Sequence, residues 1–279
     1  MKTYVAILAA GKGLRMGLSQ PKQFEMLDGK TVLEHSVDTF EKHPNIDGIF
    51  VVVHDDFLDN TRRLLNVRNR PKIVDVIAGG AERMDSSRNA ILALEGYVET
   101  GHAPSVRDAN CNLLIHDAAR PFITEKIITD VVDALKTHSV VSVAIPATDT
   151  IYTVIPAQAG IPQNKGNGQL QGDSRLRGND TLPVIVSSPK RETVYLAQTP
   201  QGGRLSVLRR AFENMYGTDE TSAPAGISTP LNDRNQGRWL SGAVATDDAC
   251  VILHHLPSEK IHIVLGDVAN RKITFRGDL

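Results

Sequence analysis

The sequence predicts an α/β protein with a mostly parallel sheet and helices on both of its faces. Three short apolar runs, residues 4–8, 49–53 and 73–77, are rich in β-branched side chains and lack polar alternation. That pattern is typical of strands buried on both faces. Apolar residues recur at helical spacing over 31–43, and residues near 62–65 favour a short helix before the third strand. Strand–helix–strand order implies a mostly parallel sheet whose crossover connections are right-handed.

The alternation of strands and helices continues further along the chain. Gly79 and Gly80 end the third strand, and Thr124 is a suitable N-cap for a later helix. The remaining predicted elements are, in order, a helix over 84–98, a strand over 113–115, the helix after Thr124, a strand over 140–145, a strand near 184–186, a helix over 205–215 and a strand over 261–265.

Two stretches, residues 155–182 and 217–242, show neither the strand nor the helix period. The first is rich in Gly, Asn, Gln and Pro, and it cannot bury enough apolar surface to order itself. We expect both stretches to be inserted, flexible loops within a single domain that spans residues 1–279.

Composition excludes several classes of protein. The 279 residues are 41% hydrophobic and 23% charged, which is ordinary for a globular chain. Thirty-one Lys and Arg against 32 Asp and Glu give a net charge of -1, so no overall field favours nucleic acid or a membrane surface. No run approaches the roughly 18 apolar residues of a membrane span, and the first strand leaves no room for a signal peptide. Cys111 and Cys250 lack metal-ligand spacing, so we expect a reducing, cytoplasmic setting.

The loop after the first strand predicts a phosphate site. Ala9, Ala10 and Gly11 are small residues that let the backbone approach a ligand closely. Two cations, Arg15 and Lys22, follow them. Amide N–H groups and cations arranged in this way indicate a cradle for a polyphosphate, although an ordinary tight turn has the same local pattern.

This loop matches neither of the two common nucleotide fingerprints. The dinucleotide pattern would need glycine at Met16, and the P-loop pattern would need Gly-Lys-Ser/Thr where the sequence has Gly-Lys-Gly at 11–13. A different kind of nucleotide site is therefore expected. A nicotinamide-dependent dehydrogenase is disfavoured by Met16, and also by Pro21 and Lys22 where its helix would run.

Further candidates follow later strands. Asp117 comes directly after a buried strand, where parallel sheets place ligand-binding loops, and its carboxylate could hold Mg²⁺ or a ribose hydroxyl, or simply cap a helix. Arg120 is close enough to serve phosphate or to pair with Asp117. Gly80 and Ser86 could read a base edge. Plain N-capping of the helix that follows is the simpler explanation of the segment 79–86.

Covalent catalysis is disfavoured by what the sequence lacks. No Gly-x-Ser-x-Gly elbow and no activated Cys or Ser context occurs. The adjacent His254 and His255 would point about 100° apart on a helix, so they do not form a metal pair.

The motifs together resemble a known family. In order they are LAAGKGLRM with PKQF, AGGAERMDS, HDAARP, an Asp-Thr after a strand, KR…AQTPQ, TDDA and NRKIT. The series is similar to that of CTP-dependent cytidylyltransferases acting on small polyol phosphates, which include the 2-C-methyl-D-erythritol 4-phosphate (MEP) and ribitol 5-phosphate enzymes.

The resemblance implies a Rossmann-like, mostly parallel sheet with helices on both faces and a projecting β-arm, here about residues 146–198, through which a homodimer forms. It implies direct in-line attack of the substrate phosphate on CTP, with Mg²⁺ held by Asp117 and with Arg191 reaching in from a partner subunit. The implied CTP-binding residues are Ala9, Ala10, Gly11, Gly80, Ser86 and Asp117, the implied catalytic residues are Arg15, Lys22 and Lys272, and the implied substrate-binding residues are Arg120, Thr150, Arg191 and Thr246.

Three questions stay open at the level of sequence. The MEP enzyme is the leading expectation, whereas Leu8 before the small residues and the Pro-Lys-Arg at 189–191 lean towards the ribitol phosphate branch. Thr218 competes with Thr246 as the site threonine. The two inserted stretches and the short C-terminal part leave a non-catalytic, nucleotide-binding relative as a further alternative.

Overall fold

The computed structural model describes residues 1–11, 21–100, 111–155, 183–217 and 245–278. The chain divides into two compact units. One consists of Met1–Ala144 with Ala197–Leu279, and the other is Ile145–Leu196. The bounds of the second unit are close to those expected for the arm.

Each predicted strand and helix is present, with bounds shifted by a few residues. The elements of the described residues are β1 (Lys2–Ala9), β2 (Met26–Leu27), β3 (Lys30–Thr31), α1 (Val32–Lys42), β4 (Gly48–Val53), α2 (Leu58–Leu64), β5 (Ile73–Ala78), α3 (Arg83–Glu99), β6 (Cys111–Asp117), α4 (Glu125–Ala134), β7 (Val140–Pro146), β8 (Thr153–Ile155), β9 (Val184–Ser187), β10 (Tyr195–Arg204), α5 (Leu205–Tyr216), α6 (Asp248–His255) and β11 (Ile261–Leu265).

The first unit is built on a seven-stranded sheet with the order β11-β7-β10-β6-β1-β4-β5. β1 pairs in parallel with β4 and β6, β4 with β5, and β7 with β11. β10 runs antiparallel to β6. The predicted α/β class with a mostly parallel sheet is confirmed. The carboxyl ends of β1, β5 and β6 lie at one edge, where open α/β sheets bind their ligands.

Strand β10 is the longest of the elements that the sequence did not predict, which also include β2, β3, β8 and α6. Its residues YLAQTPQGGR include Pro200, Gly202 and Gly203, which are poor strand formers. A Cβ on Gly202 would come within 2.3 Å of the Leu113 carbonyl oxygen, and one on Gly203 within 2.5 Å of the Ser139 carbonyl oxygen. Close approach of neighbouring backbones therefore requires glycine here, and tertiary packing overrides local propensity.

Helices cover both faces of the sheet, as predicted. Helices α1, α2 and α4 pack with one apolar layer, and α3, α5 and α6 pack with the other. Thr31 begins α1 with a reciprocal capping box, in which its hydroxyl accepts from the Glu34 amide at 3.2 Å. Among the described residues, no helix is long and apolar enough to cross a membrane.

The second unit contains a two-stranded antiparallel ladder. β8 pairs with β9 so that Thr153 lies opposite Ser187 and Ile155 opposite Val184. The inserted stretch expected at 155–182 lies almost wholly outside the described residues, as does most of the stretch at 217–242.

Candidate active site

The first residues after β1, Ala10 and Gly11, lie close to the glycine turn that follows β5. Gln23, itself buried, donates from Nε2 to the carbonyl oxygens of Ala9 at 2.5 Å and Gly11 at 3.1 Å, and so supports the loop from inside. A Cβ on Gly79 would come within 2.5 Å of the Ala10 Cβ, which shows how closely the two segments pack. Arg15 lies outside the described residues.

The turn at Gly80 is held by side chains from the first turn of α3. The Gly80 amide donates to Ser86 Oγ at 3.2 Å, and this hydroxyl donates to the Glu82 carbonyl oxygen at 3.3 Å. The Glu82 amide in turn donates to Asp85 Oδ2 at 2.9 Å. Ser86 is buried and both of its bonds lie within the turn. The Ser86 hydroxyl was expected to read the base. In the structure it instead holds the backbone of the Gly80 turn in place.

Asp117 ends β6 between two cations. Lys272 Nζ lies 2.6 Å from Oδ2, and Arg83 Nε lies 3.0 Å from Oδ1. Burial alone would raise the pKa of Asp117, but the charges of Arg83 and Lys272 outweigh that effect and hold the pKa well below its usual range. Asp117 is therefore an ionised carboxylate at neutral pH.

Arg83 is a site residue that the sequence reasoning did not select. It bridges two carboxylates, because its Nη1 also lies 2.8 Å from Oδ2 of Asp248, which is fully buried. Burial tends to lower the pKa of Arg83, and the two carboxylates raise it above its ordinary value. The local signal was weak: a cation in the first turn of a helix opposes the helix dipole, but an effect of about 1 kcal/mol or less does not indicate a buried anionic partner.

The segment that carries Lys272 is fixed to the turn that follows β6 and to strand β10. The Ile273 amide donates to the Ala119 carbonyl oxygen at 2.7 Å. The buried Asn270 donates from Nδ2 to the carbonyl oxygen of Thr199 at 3.0 Å and to Gln198 Oε1 at 3.2 Å. These bonds hold Lys272 beside Asp117.

Arg120 braces the same segment. Its Nη1 donates to the Asn270 carbonyl oxygen at 2.8 Å and its Nη2 to the Ala197 carbonyl oxygen at 3.1 Å. The guanidinium thus joins three parts of the chain by way of backbone acceptors. A direct contact of Arg120 with substrate stays a prediction.

Lys22 reaches this segment from the other side. It begins a single 3₁₀ turn, Lys22–Phe24, and its Nζ donates to the Ile273 carbonyl oxygen at 2.8 Å. Lys22 and Lys272 are far apart in sequence, yet one contacts the residue next to the other. The fold therefore brings Lys22 to the segment that carries Lys272, another of the three predicted catalytic cations.

His116 supports Asp117 from the interior. Its Nδ1 lies 3.1 Å from Thr199 Oγ1, which also accepts from the Asp117 amide at 3.1 Å. His116 Nε2 lies 3.2 Å from the Arg120 carbonyl oxygen. Burial lowers the pKa of His116 to about 4, so the ring is neutral in the folded protein.

We expect this histidine to make the fold acid-sensitive. Its pKa is about 4 when folded, against about 6.5 when unfolded, so its contribution is fully present above pH 6.5 and is lost as the pH falls towards 4. The loss would reach about 3 kcal/mol. Urea unfolding of wild type and of His116→Gln at pH 7.0 and 4.5 measures this loss of unfolding free energy. The variant should show a smaller loss on acidification, and equal losses in both proteins would contradict the assignment.

Thr246 stands next to a helix start. Asp247 caps α6 by accepting from the Cys250 amide at 2.8 Å, and it also accepts from Gln201 Nε2 at 2.9 Å. Thr246 Oγ1 lies 3.9 Å from Cys250 Sγ, and the residue is exposed. Its competitor Thr218 lies outside the described residues, so the choice between them stays a prediction.

Two predicted substrate residues meet in the second unit. Arg191 Nη2 donates to Thr150 Oγ1 at 3.3 Å. They border a cavity of about 210 Å³ that is lined by residues preceding β8 and residues following β9. The lining residues are Ala147, Asp149, Thr150, Ile151, Ser188, Pro189, Arg191 and Val194.

Comparison with known proteins gives a consistent result. Residues 3–166 match the family model described as IspD, 2-C-methyl-D-erythritol 4-phosphate cytidylyltransferase. The chain is 32% identical to the protein of that name from Thermobifida fusca, with 98% of this chain and 89% of the relative aligned. It is 34% identical to the bifunctional ribulose 5-phosphate reductase/CDP-ribitol pyrophosphorylase Bcs1 of Haemophilus influenzae, covering 98% of this chain and 46% of that protein.

A solved structure supports the fold. The 4-diphosphocytidyl-2C-methyl-D-erythritol synthase of Anaerococcus prevotii aligns with a TM-score of 0.66 at 23% identity, covering 99% of this chain and 92% of that one. At this identity the likeness concerns the fold alone.

Proposed function

The chain belongs to the IspD family of 2-C-methyl-D-erythritol 4-phosphate cytidylyltransferases, and we propose that the site around Asp117 transfers the cytidylyl group of CTP to that substrate. The reaction yields the CDP derivative and pyrophosphate. One observation carries the proposal: an ionised carboxylate at the end of β6 lies against Lys272, while Lys22 contacts the adjacent residue of the same segment. Cations gathered beside a nucleotide loop suit phosphoryl chemistry that needs no covalent nucleophile.

In the proposed mechanism, an oxygen of the substrate phosphate attacks the α-phosphorus of CTP in line. A new P–O bond forms as the bond from the α-phosphorus to the bridging oxygen of the β-phosphate breaks, and pyrophosphate leaves with that electron pair. The protein contributes position and positive charge. Lys22, together with Arg15, stabilises charge that develops on the departing phosphates, since fixed charges act most strongly where charge appears in the transition state.

Mg²⁺ is part of the proposal. The described residues hold no group of three or more metal-ligating side chains, so a site made by protein alone does not occur among them. Asp117 fits the other arrangement, in which one carboxylate joins the oxygens of a nucleotide triphosphate. Its low pKa keeps it ionised, and Oδ2, now paired with Lys272, would be the oxygen offered to the ion if Lys272 turned to a phosphate. The ion would neutralise phosphate charge.

We also propose a homodimer that forms through the arm. Large apolar side chains of the second unit are exposed to solvent, and exposed apolar clusters of this kind mark interaction surfaces. The arm also carries the Arg191–Thr150 pair, which the dimer would deliver to a partner's phosphate. The exposed side chains are Tyr152, Val154, Ile185, Tyr195 and Leu196.

Ile185→Asp is expected to yield a monomer with much lower turnover. Ile185 is 57% exposed on β9, and a charge there would have to be desolvated in the interface. Light scattering after gel filtration gives the mass, and pyrophosphate release gives the rate. Ile185→Val, which keeps the apolar surface, is the matched control and should stay dimeric. A dimeric and fully active Ile185→Asp protein would refute the proposed interface.

A second substrate, ribitol 5-phosphate, is favoured by the 34% identity to the Haemophilus influenzae enzyme. The test follows pyrophosphate release from CTP and Mg²⁺ with each polyol phosphate in turn. Release with 2-C-methyl-D-erythritol 4-phosphate supports the proposal, and release with ribitol 5-phosphate alone selects the second candidate. Release with neither identifies a non-catalytic relative. The proposed compartment is the cytoplasm, which supplies CTP and keeps Cys111 and Cys250 reduced.

A further inference from the structure

Tyr216 contacts the base-reading turn from a distant part of the chain. It is the last residue of α5, and its hydroxyl donates to Asp85 Oδ1 at 2.6 Å. The guanidinium carbon of Arg88 lies 5.0 Å from the centre of the Tyr216 ring, and the Phe212 ring lies nearly parallel at 6.4 Å. Burial and then the bond to Asp85 raise the pKa of Tyr216, so its hydroxyl remains a donor.

Asp85 transmits this contact to Gly80. One carboxylate oxygen accepts from Tyr216 and the other accepts from the Glu82 amide at 2.9 Å. A Cβ on Gly80 would lie 2.1 Å from the Asp85 Cβ, so the Asp85 side chain packs directly on the Gly80 backbone. A movement of Asp85 towards Gly80 would therefore displace the turn.

The position of Gly80 matters for the choice of base. Because the Ser86 hydroxyl is engaged within the turn, discrimination falls to backbone groups of the turn. Cytosine offers an amino donor at C4 and an acceptor at N3, whereas uracil offers a carbonyl at C4 and a donor at N3. Backbone groups fixed in place leave a polar group unpaired when the wrong base binds, and a looser turn adapts to either base.

We propose that Tyr216 is a positioning residue for pyrimidine selection, which acts through Asp85 to hold the Gly80 turn in the geometry that accepts cytosine and rejects uracil. The proposal rests on the proposed function, since it takes CTP as the nucleotide. In this proposal Tyr216 acts through its hydrogen bond to Asp85 and makes no direct contact with the nucleotide.

The test measures the dissociation constants of CTP and UTP, with Mg²⁺ present, by calorimetry on wild type and Tyr216→Phe. The variant keeps the ring between Arg88 and Phe212 and loses only the hydroxyl. We expect CTP to bind about 3- to 10-fold more weakly and UTP to change less than about twofold, so the preference for CTP falls. In turnover, KM for CTP should rise while kcat at saturating CTP stays unchanged. Tyr4→Phe, which removes a buried hydroxyl from β1, is the matched control and should keep the wild-type preference.

A double-mutant cycle tests the route through Asp85. In an Asp85→Ala background, Tyr216→Phe should leave the CTP/UTP ratio unchanged, because the hydroxyl no longer has an acceptor there. An unchanged ratio in the single variant, equal losses for both nucleotides, or a full additional effect in the Asp85→Ala background would each overturn the proposal.

Binding and turnover separate the two claims. A wild-type protein that prefers CTP in binding but releases no pyrophosphate with either polyol phosphate would sink the proposed function and still report on Tyr216. A wild-type protein without preference for CTP over UTP would overturn the role of Tyr216.

Discussion

Lys22→Ala is expected to lower kcat by a factor on the order of 10²–10³ with the fold retained. Lys22 Nζ lies beside the carbonyl oxygen of Ile273, next to Lys272, where the departing phosphates gather charge in the proposed mechanism. Its loss removes transition-state stabilisation that water cannot replace. The partly buried hydrogen bond from Lys22 to the Ile273 carbonyl oxygen is worth about 1 kcal/mol of stability, which is small beside the expected loss of rate. Single-turnover rates at saturating CTP and thermal unfolding measure the two effects separately.

The matched control is Lys126→Ala. Lys126 lies on α4 with its side chain 81% exposed and pairs with Asp130 one helical turn away. This variant removes the same charge and should leave both turnover and melting temperature unchanged. Lys22→Arg keeps a cation and should recover part of the rate. Near-normal turnover of Lys22→Ala would remove the basis for the mechanism.

Arg83→Met is expected to destabilise the fold by about 3–5 kcal/mol and to lower turnover sharply. Arg83 is the cation shared by Asp117 and the fully buried Asp248, so its removal leaves Asp248 charged without a partner. Asp117 keeps Lys272 alone, and its pKa should rise towards the usual value. Urea unfolding measures the first effect and kcat the second.

A compensating variant separates stability from catalysis. Arg83→Met combined with Asp248→Leu removes the unpaired buried charge, and replacing a buried ion pair with apolar groups is often neutral. Stability should then recover while turnover stays low, because Asp117 still lacks its second cation. Wild-type stability in Arg83→Met, or wild-type turnover in the double variant, would show that the bridge does not orient Asp117.

The sheet could be predicted because its strands are locally self-consistent. β1, β4 and β6 contain continuous apolar runs, and α4 follows Thr124, whose side chain accepts a hydrogen bond as expected of an N-cap. β10 could not be predicted, since glycine and proline disfavour a strand locally. Glycine occurs in this strand because the neighbouring backbone approaches Gly202 too closely for any Cβ.

Some residues of the candidate site could likewise be predicted from the sequence, and others could not. Asp117 and Lys22 could be selected from the sequence because charged residues next to a strand or a small-residue loop stand out. Arg83 and Asp248 could not, because each looks like an ordinary charge in a helical first turn. Only the fold shows that the guanidinium of Arg83 pairs with both Asp248 and Asp117. Ser86 was selected as a base-reading residue, and that role stays a prediction; the structure shows its hydroxyl supporting the backbone of the turn.

The most direct test of the central claim is ³¹P NMR of the wild-type protein with CTP, Mg²⁺ and 2-C-methyl-D-erythritol 4-phosphate. The proposed reaction predicts that CTP and the monophosphate disappear together, with one pyrophosphate and one diphosphate-linked CDP product formed for each pair consumed. CTP that persists unchanged beside the polyol phosphate, in a protein shown to be folded, would contradict the account.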